Sequence, residues 1–262
     1  MRIPLYQVDA FTSRVFAGNP AAVCPLREWL PDAMMQAIAA ENNLAETAFF
    51  VARGEGYLLR WFTPTLEVEL CGHATLASGY VVTNILAPER RSVTFETMTA
   101  GPLEVTRDGD LLAMDFPAWP TEADAADPRI LEALGPQPAQ SFVARGRTLA
   151  VYDRAEDVAA LRPDFAAMRR VPGANAIATA PGGNGVDFVS RYFAPNHGVD
   201  EDPVTGSSHS VLTPYWAARL GKKQLRARQI SARGGELDCT LRGDRITLAG
   251  RAVHYLEGTI TI

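Results

Sequence analysis

The stretch Val199-Asp-Glu-Asp-Pro-Val-Thr-Gly-Ser-Ser-His209 joins an acidic loop to an apolar helical pattern. Thr205 is a residue type that favours the helix N-cap, and Gly206 lets the backbone approach a ligand closely. The apolar positions that follow at helical spacing are Val211, Leu212, Tyr215, Trp216 and Leu220. We therefore predict a helix that begins at Gly206.

The amino end of this helix is a candidate anion site, because its first amide groups and its positive dipole end favour negative charge. Ser207 and Ser208 would add hydroxyl donors, and a carboxylate ligand would suit such a site. The alternative is a capped helix of the core with no ligand, and the motif by itself leaves both interpretations open.

The composition is that of a globular chain and argues against several classes of partner. The 262 residues are 47% hydrophobic, enough for a sizeable core in one or two domains. A formal charge of −5 without a dense Lys/Arg run argues against nucleic acid and anionic membranes. No stretch is long and apolar enough to span a bilayer, and polar residues interrupt the first ten positions. We expect a cytoplasmic protein with a small-molecule ligand.

Cysteine and histidine are sparse and scattered. The three cysteines are too few and too far apart for a disulfide framework or a thiolate metal site, and the four histidines show no paired ligand spacing. We expect reduced thiols and no metal. These residues are Cys24, Cys71, Cys239, His73, His197, His209 and His254.

Two polar residues of the first half are candidates for proton transfer. Glu46 stands in a segment, residues 44–51, that otherwise has the pattern of a buried strand. Burial would suit a carboxylate to acid/base chemistry, whereas the alternative is a strand-edge glutamate in water. His73 follows Gly72 at the predicted start of a second apolar helix, where the helix end would favour the neutral imidazole. The alternative for His73 is a structural role.

Asn19 lies in the segment Gly18-Asn-Pro20, which is typical of a turn before a strand. Farther along, Pro117, Pro120 and the acidic, alanine-rich residues 121–127 predict a domain connection. The expected domains are residues 1–117 and 118–262, with the C-terminal strand packing on the first domain.

The two halves of the sequence repeat one pattern. Arg60-Trp-Phe-Thr-Pro64 precedes Cys71-Gly-His73 and a helix, and Arg191-Tyr-Phe-Ala-Pro195 precedes Thr205-Gly-Ser207 and a helix. The shared order of strand, loop, glycine and apolar helix predicts two similar domains, each a sheet around one buried helix. If a pseudo-twofold axis relates them, both helix N-termini can face one interdomain cleft.

Taken together, four ordered motifs resemble the PhzF-like (phenazine biosynthesis) isomerases over nearly the whole chain. They are Val8-Asp-Ala-Phe with Gly18-Asn-Pro-Ala-Ala-Val, Asn43-Leu-Ala-Glu-Thr-Ala-Phe, Gly72-His-Ala-Thr-Leu-Ala, and Asp202-Pro-Val-Thr-Gly-Ser. The resemblance implies the α+β fold of diaminopimelate epimerase: two similar domains, each a barrel-like, mostly antiparallel sheet around a central helix. It also implies a site without a cofactor.

The resemblance further implies roles for particular residues. Glu46 would be the general acid/base, and His73, Asp202 and Ser207 would complete the polar site. Asn19, Gly72 and Gly206 are the candidate substrate-binding residues, with the substrate carboxylate near the two glycines. The expected partner is a small carboxylate-bearing molecule, and the expected assembly is a homodimer.

Racemases and epimerases of this fold use two opposed cysteines. Cys71 precedes Gly72 as the first would, but Thr205 stands where the second is expected, and its hydroxyl has too high a pKa to replace a thiolate. We therefore favour an isomerase in which Glu46 moves a proton between two carbons on one face of the substrate. The alternatives are a racemase that uses Glu46 and Cys71, and a metabolite-binding protein without turnover.

Overall fold

A computed structural model of the chain describes residues 1–122 and 125–262 and divides into two units. One unit comprises Met1–Asp115 with Ala249–Ile262, and the other comprises Phe116–Leu248. Residues 123 and 124 of the predicted connection lie outside the described residues. None of the helices in the described part of the chain is long and apolar enough to cross a bilayer.

The first half of the chain forms eight strands and two α-helices. The strands are Arg2–Ala10 (β1), Asn19–Leu26 (β2), Glu46–Arg53 (β3), Gly56–Phe62 (β4), Glu67–Val68 (β5), Ser92–Glu96 (β6), Leu103–Asp108 (β7) and Leu111–Pro117 (β8). The helices are Asp32–Asn42 (α1) and Gly72–Tyr80 (α2), and α2 continues as a π-helix over Val81–Leu86.

The sheet of the first unit mixes antiparallel and parallel pairs. β1 pairs antiparallel with β2, β3 with β4, and β4 with β5, while β2 and β3 are parallel, as are β4 and β6. β6, β7 and β8 follow as an antiparallel meander. These strands surround α2, which packs against β1, β2, β3 and β7.

Helix α2 has small or hydroxylated side chains because it is buried on every side. Ala74, Ala77 and Gly79 let the surrounding strands approach the helix axis closely. The hydroxyls of Thr75 and Ser78 donate to the carbonyls four residues earlier, at 2.6 and 2.8 Å. Each buried hydroxyl is therefore satisfied within the helix.

The second half of the chain holds the remaining elements. The strands are Gln140–Ala144 (β9), Arg147–Val151 (β10), Ala176–Pro181 (β11), Phe188–Ala194 (β12), Val199–Asp202 (β13), Gln224–Gln229 (β14), Gly235–Arg242 (β15), Arg245–Gly250 (β16) and Ala252–Thr261 (β17). The helices are Pro128–Leu134 (α3), Ala155–Ala160 (α4), Phe165–Arg169 (α5) and Gly206–Leu220 (α6), with a 3₁₀ turn at Pro195–His197. β17 pairs antiparallel with β1, so the chain ends in the first unit.

The second unit repeats the strand pairing of the first. β9–β10, β11–β12 and β12–β13 are antiparallel, whereas β10–β11 and β12–β14 are parallel. Helix α6 is the buried counterpart of α2. Its Trp216 stacks on Phe188 at 5.8 Å between ring centroids and donates its indole N–H to Thr179 Oγ1 at 3.0 Å. The predicted internal repeat and α+β architecture are confirmed within each unit.

Both helix starts predicted at a glycine are confirmed, at Gly72 and Gly206. The prediction for Asn19 is wrong in part: Asn19 is the first residue of β2 and fully buried, so the turn ends one residue earlier. Gly18 closes that turn with a φ of +66°, and a Cβ atom there would lie 2.1 Å from the Ala10 carbonyl oxygen. Only glycine fits at position 18.

The close packing of α2 on β7 predicts the effect of one added methyl group. A Cβ atom on Gly79 would lie 2.5 Å from Val105 Cγ1. We expect Gly79→Ala to lower the free energy of unfolding by about 1–2 kcal/mol, because overpacking outweighs the gain of about 1 kcal/mol in helix propensity. Urea denaturation measures this loss.

Two further variants test the cause. Gly183→Ala is the control, since nothing lies within 4 Å of a Cβ atom there, and its stability should change little. The loss caused by Gly79→Ala should be smaller when it is measured in a Val105→Ala background, which lacks the Val105 methyl groups. Equal losses with and without the Val105 side chain would show that this contact is not the cause.

Candidate functional site

The seven predicted site residues fall into two clusters, one in each unit. Asn19, Glu46, Gly72 and His73 belong to the first unit. Asp202, Gly206 and Ser207 belong to the second unit.

In the first unit, the fold gathers the starts of two strands and one helix. β2 and β3 are parallel neighbours, with Ala21 opposite Glu46, so their amino ends meet at one edge. Helix α2 packs on both strands and begins at the same place. Asn19, Glu46 and His73, which are far apart in sequence, therefore come into contact.

His73 is the centre of this cluster. Its Nε2 lies 3.2 Å from Glu46 Oε2, and its Nδ1 lies 3.1 Å from Asn19 Nδ2 and 3.5 Å from Cys71 Sγ. The side chains of His73 and Glu46 are 5% and 18% exposed. The alternative of a glutamate extended into water is therefore wrong for Glu46, since Oε2 itself is buried.

The imidazole of His73 is neutral. Burial lowers its pKa to about 3, and a hydrogen bond with the Pro20 carbonyl opposes that effect only in part. The sequence predicted the direction of the shift but attributed it to the helix end, whereas the cause is desolvation. The Asn19 amide lies against Nδ1, where it can donate its N–H or, turned over, accept from Nδ1–H, and the ring also bonds to the Pro20 carbonyl. The 3.2 Å contact between Nε2 and Glu46 Oε2 does not have hydrogen-bond geometry, so a hydrogen bond between these two atoms requires a small rotation of either side chain.

In the second unit, Asp202 ends β13 just before helix α6. The hydroxyl of Thr205 donates a hydrogen bond to Asp202 Oδ2. Thr205 occupies the N-cap position as predicted, but its side chain does not cap the helix. The Asp202 carboxylate and the Thr205 hydroxyl are therefore hydrogen-bonded to each other, and the helix begins at the next residue, Gly206.

Ser207 and Ser208 point to different surroundings. Ser207 is half-buried, whereas Ser208 is fully buried and donates its hydroxyl to the Thr205 carbonyl at 2.8 Å. The prediction that Ser208 adds a donor to the anion site is therefore wrong, because Ser208 lies on the inward face of the first helical turn. His209 packs beside it, with Nδ1 2.8 Å from the same carbonyl.

Gln229 is a residue of this cluster that the sequence did not reveal. It is fully buried at the end of β14, where Nε2 donates to the Asp202 carbonyl at 2.7 Å and Oε1 accepts from the Thr205 amide at 2.9 Å. Its side chain bridges the two ends of the loop before α6. The sequence feature that could have revealed Gln229 is a polar side chain at an inward-facing position of a strand with alternating polar and apolar residues.

The arginine of the repeated Arg-X-Phe-X-Pro pattern forms the same kind of ion pair in both units. Arg60 Nε and Nη2 donate to the two carboxylate oxygens of Glu67, both at 2.7 Å. Arg191 makes the same bidentate pair with Glu201, at 2.7 and 2.8 Å. Each arginine ties a short strand, β5 or β13, to its neighbour just before a central helix.

The Gln229 bridge predicts a loss of stability when its polar atoms are removed. Gln229→Met keeps the approximate shape but leaves the Asp202 carbonyl and the Thr205 amide without this partner. We expect a loss of about 1–3 kcal/mol in the free energy of unfolding for each group left unsatisfied. Gln224→Met, at an exposed position of the same strand, is the matched control for urea denaturation. Equal effects of the two substitutions would refute the bridging role.

The buried histidines predict a pH dependence of folding. Burial lowers the pKa of His73 to about 3 and that of His209 to about 4, from an ordinary 6.5. Below about pH 6.5 the unfolded chain binds protons on these rings while the folded chain does not. Stability should therefore fall as pH falls from about 6.5 toward 4, by up to about 1.4 kcal/mol per pH unit for each ring.

His209→Gln should reduce that slope, and His197→Gln, at an exposed position, should leave it unchanged. The measurement is the free energy of urea unfolding at a series of pH values. A slope that is the same in the wild type and in His209→Gln would show that His209 becomes protonated without unfolding.

Comparison with known proteins assigns the family. The sequence model of the phenazine biosynthesis-like proteins (PhzC-PhzF) matches residues 8–258. A Pseudomonas aeruginosa protein named as an uncharacterised isomerase is 50% identical over 260 residues, 99% of each chain. The crystal structure of a PhzF family protein from Enterococcus faecalis matches with a TM-score of 0.95 and 43% identity, covering 100% of both chains.

A more distant structure defines the wider fold. A hydroxyproline epimerase from Agrobacterium vitis, with bound trans-4-OH-L-proline, matches with a TM-score of 0.63 and 13% identity, over 99% of this chain and 92% of that one. At this identity the likeness concerns the fold alone, and the predicted epimerase-like fold is confirmed. With a family match that spans nearly its whole length, the chain belongs to the phenazine biosynthesis-like (PhzF) family.

Proposed function

We propose that this chain is a cofactor-independent isomerase that moves a proton within a small carboxylate-bearing substrate, with Glu46 as the acid/base. The observation that carries the proposal is the contact of 3.2 Å between Glu46 Oε2 and the neutral, buried imidazole of His73. The name isomerase given to the Pseudomonas aeruginosa relative agrees with this reaction class.

The chemistry follows from a carboxylate that can both take and return a proton. Ionised Glu46 removes a proton from a substrate carbon, and the electron pair left behind delocalises over the adjacent unsaturated group. Protonated Glu46 then delivers the same proton to a second carbon on the same face, which shifts the double bond and restores the enzyme. Charge and protons balance without a cofactor.

His73 supports both states of Glu46. After a small rotation that aligns the 3.2 Å contact, Nε2–H would donate to ionised Glu46, and Nε2 would accept from protonated Glu46. The exchange of tautomers needs a partner on Nδ1, which the Asn19 amide supplies with its N–H or, turned over, with its oxygen. Because the imidazole stays neutral, it adds no positive charge that would favour the ionised form of Glu46 over the protonated form.

The helix starts at Gly72 and Gly206 are the proposed carboxylate-binding elements. Amide groups at the amino end of a helix favour an anion, and Ser207 offers a hydroxyl at the second of these ends. Asp202 is proposed as a further polar group toward the substrate, oriented by the Thr205 hydroxyl and the Gln229 bridge.

The alternative reaction, racemisation by Glu46 and Cys71, fits the cluster less well. Two opposed bases must face each other across one substrate carbon. Here Glu46 contacts the Nε2 side of the His73 ring and Cys71 the Nδ1 side, so an imidazole contacts both groups. A single carboxylate that acts on one face is the simpler interpretation of this arrangement.

The decisive variant is Glu46→Gln, which keeps the shape of the side chain but removes its capacity to exchange a proton. We expect turnover to fall by about a hundredfold or more while ligand binding survives, the usual scale for general acid/base catalysis. The substrate is first sought by screening small unsaturated or hydroxylated carboxylic acids for deuterium incorporation at carbon from deuterated water. Calorimetry then gives the affinity of the ligand for wild type and variant.

Glu41→Gln, at an exposed position of α1, is the control and should behave as the wild type. Equal deuterium incorporation in Glu46→Gln and wild type would remove Glu46 from the mechanism. Inversion of one stereocentre, in place of movement of a double bond, would favour the racemase. Binding without any exchange in the wild type would favour a metabolite-binding protein.

A further inference from the structure

We propose that Glu46, Cys71 and His73 form a binding site for a thiophilic divalent ion such as Zn²⁺, and that the ion inhibits the isomerase by occupying Glu46. The inhibitory half of this proposal rests on the proposed function, whereas the binding half stands on the cluster alone. Among the described residues, these are the three His, Cys, Asp or Glu side chains whose potential ligand atoms gather this closely.

The distances between the donor atoms suit a small ion. One ligand atom from each of the three side chains lies within 4.8 Å of the other two, and Glu46 Oε2 is 3.2 Å from His73 Nε2. Zinc bonds of about 2.0–2.3 Å at tetrahedral angles place donor atoms roughly 3.3–3.7 Å apart. The carboxylate and imidazole are thus nearly in place on the Nε2 side of the ring, whereas Cys71 Sγ now lies 3.5 Å from Nδ1 and must turn toward the Nε2 side to complete the set.

The donor types select the metal. A set of one sulfur, one nitrogen and one oxygen favours zinc over magnesium or calcium, which prefer oxygen ligands. His73 is neutral, as a ligand must be, and in the tautomer that carries its proton on Nδ1, with the Asn19 amide oxygen turned toward it, the lone pair of Nε2 is available on the side of Glu46. On binding, the thiol of Cys71 releases its proton to solvent, so that two negative ligands balance the ion.

The site also has a route to solvent. Cys71 and His73 are buried, whereas the side chain of Glu46 is 18% exposed. An ion held by three protein ligands keeps a fourth position for water or an added ligand on that side. While the ion holds the Glu46 carboxylate, that carboxylate cannot take a proton from carbon.

Cobalt is the probe, because Co²⁺ replaces Zn²⁺ and reports its ligands by absorption. Titration of the purified wild type with Co²⁺ should produce the near-ultraviolet charge-transfer band of a cobalt–thiolate bond and the visible bands of a tetrahedral ion. Addition of Zn²⁺ should abolish both. Cys71→Ser should lose the charge-transfer band, and the control Cys24→Ala, at another buried thiol of the first unit, should keep it.

A second variant keeps the test independent of the thiol. Glu46→Gln should weaken Co²⁺ binding by about tenfold or more, the effect that even outer partners of metal ligands commonly have. The absence of a charge-transfer band in the wild type, or its persistence in Cys71→Ser, would overturn the site. Unchanged affinity in Glu46→Gln would also contradict it, whether or not Cys71→Ser folds.

The inhibitory half is tested on deuterium exchange. Exchange by the wild type should fall as Zn²⁺ occupies the site and recover when a chelator removes the ion. Metal binding without loss of exchange would refute inhibition and leave the binding site intact. Cobalt bands in a protein that exchanges no carbon-bound proton with any compound would uphold the metal site and count against the proposed isomerase.

Discussion

Each unit depends on one helix that has almost no face in water. A helix in that position cannot carry long polar side chains, so α2 consists largely of alanine, glycine and hydroxyl residues whose oxygens bond back to the backbone. Its sides are covered by strands, and its amino end is the place where its backbone polar groups remain available. The first amide groups of the helix have no partner within the helix itself, and the candidate site residues lie at that end.

The same burial determines the chemistry of His73. An imidazole in this position could carry charge only at a large cost in solvation, so the ring remains neutral where it contacts Glu46. In the second unit, the buried polar groups form hydrogen bonds among themselves. There the polar atoms of Asp202, Thr205 and Gln229 bond to one another, which fixes the loop before α6. The first unit brings a carboxylate against a neutral imidazole, and the second unit holds its loop through side-chain hydrogen bonds.

Sequence patterns were sufficient for the repeat and for the helix starts, because both depend on local chemistry: a glycine at the first helical position followed by apolar residues at helical spacing. They were not sufficient for contacts across strands. Gln229 and the partners of Arg60 and Arg191 become visible only when strand pairing brings them to the loops they hold. Asn19 was placed in a turn since its neighbours Gly18 and Pro20 favour turns, but the antiparallel pairing of β2 with β1, which places Asn19 opposite Ala10, extends the strand to include it.

The prediction of no metal stays a prediction, and the proposed site shows where its reasoning is limited. It rested on the spacing of histidines along the sequence, which is informative when one helix or one loop supplies most ligands. Here two ligands come from the start of α2 and the third from the start of β3, so no spacing in the sequence could reveal them. The carboxylate that is proposed to take a proton from carbon is also one of the three proposed metal ligands. Competition between a proton and a metal ion for Glu46 therefore follows if both proposals hold, because both processes use the same carboxylate oxygens.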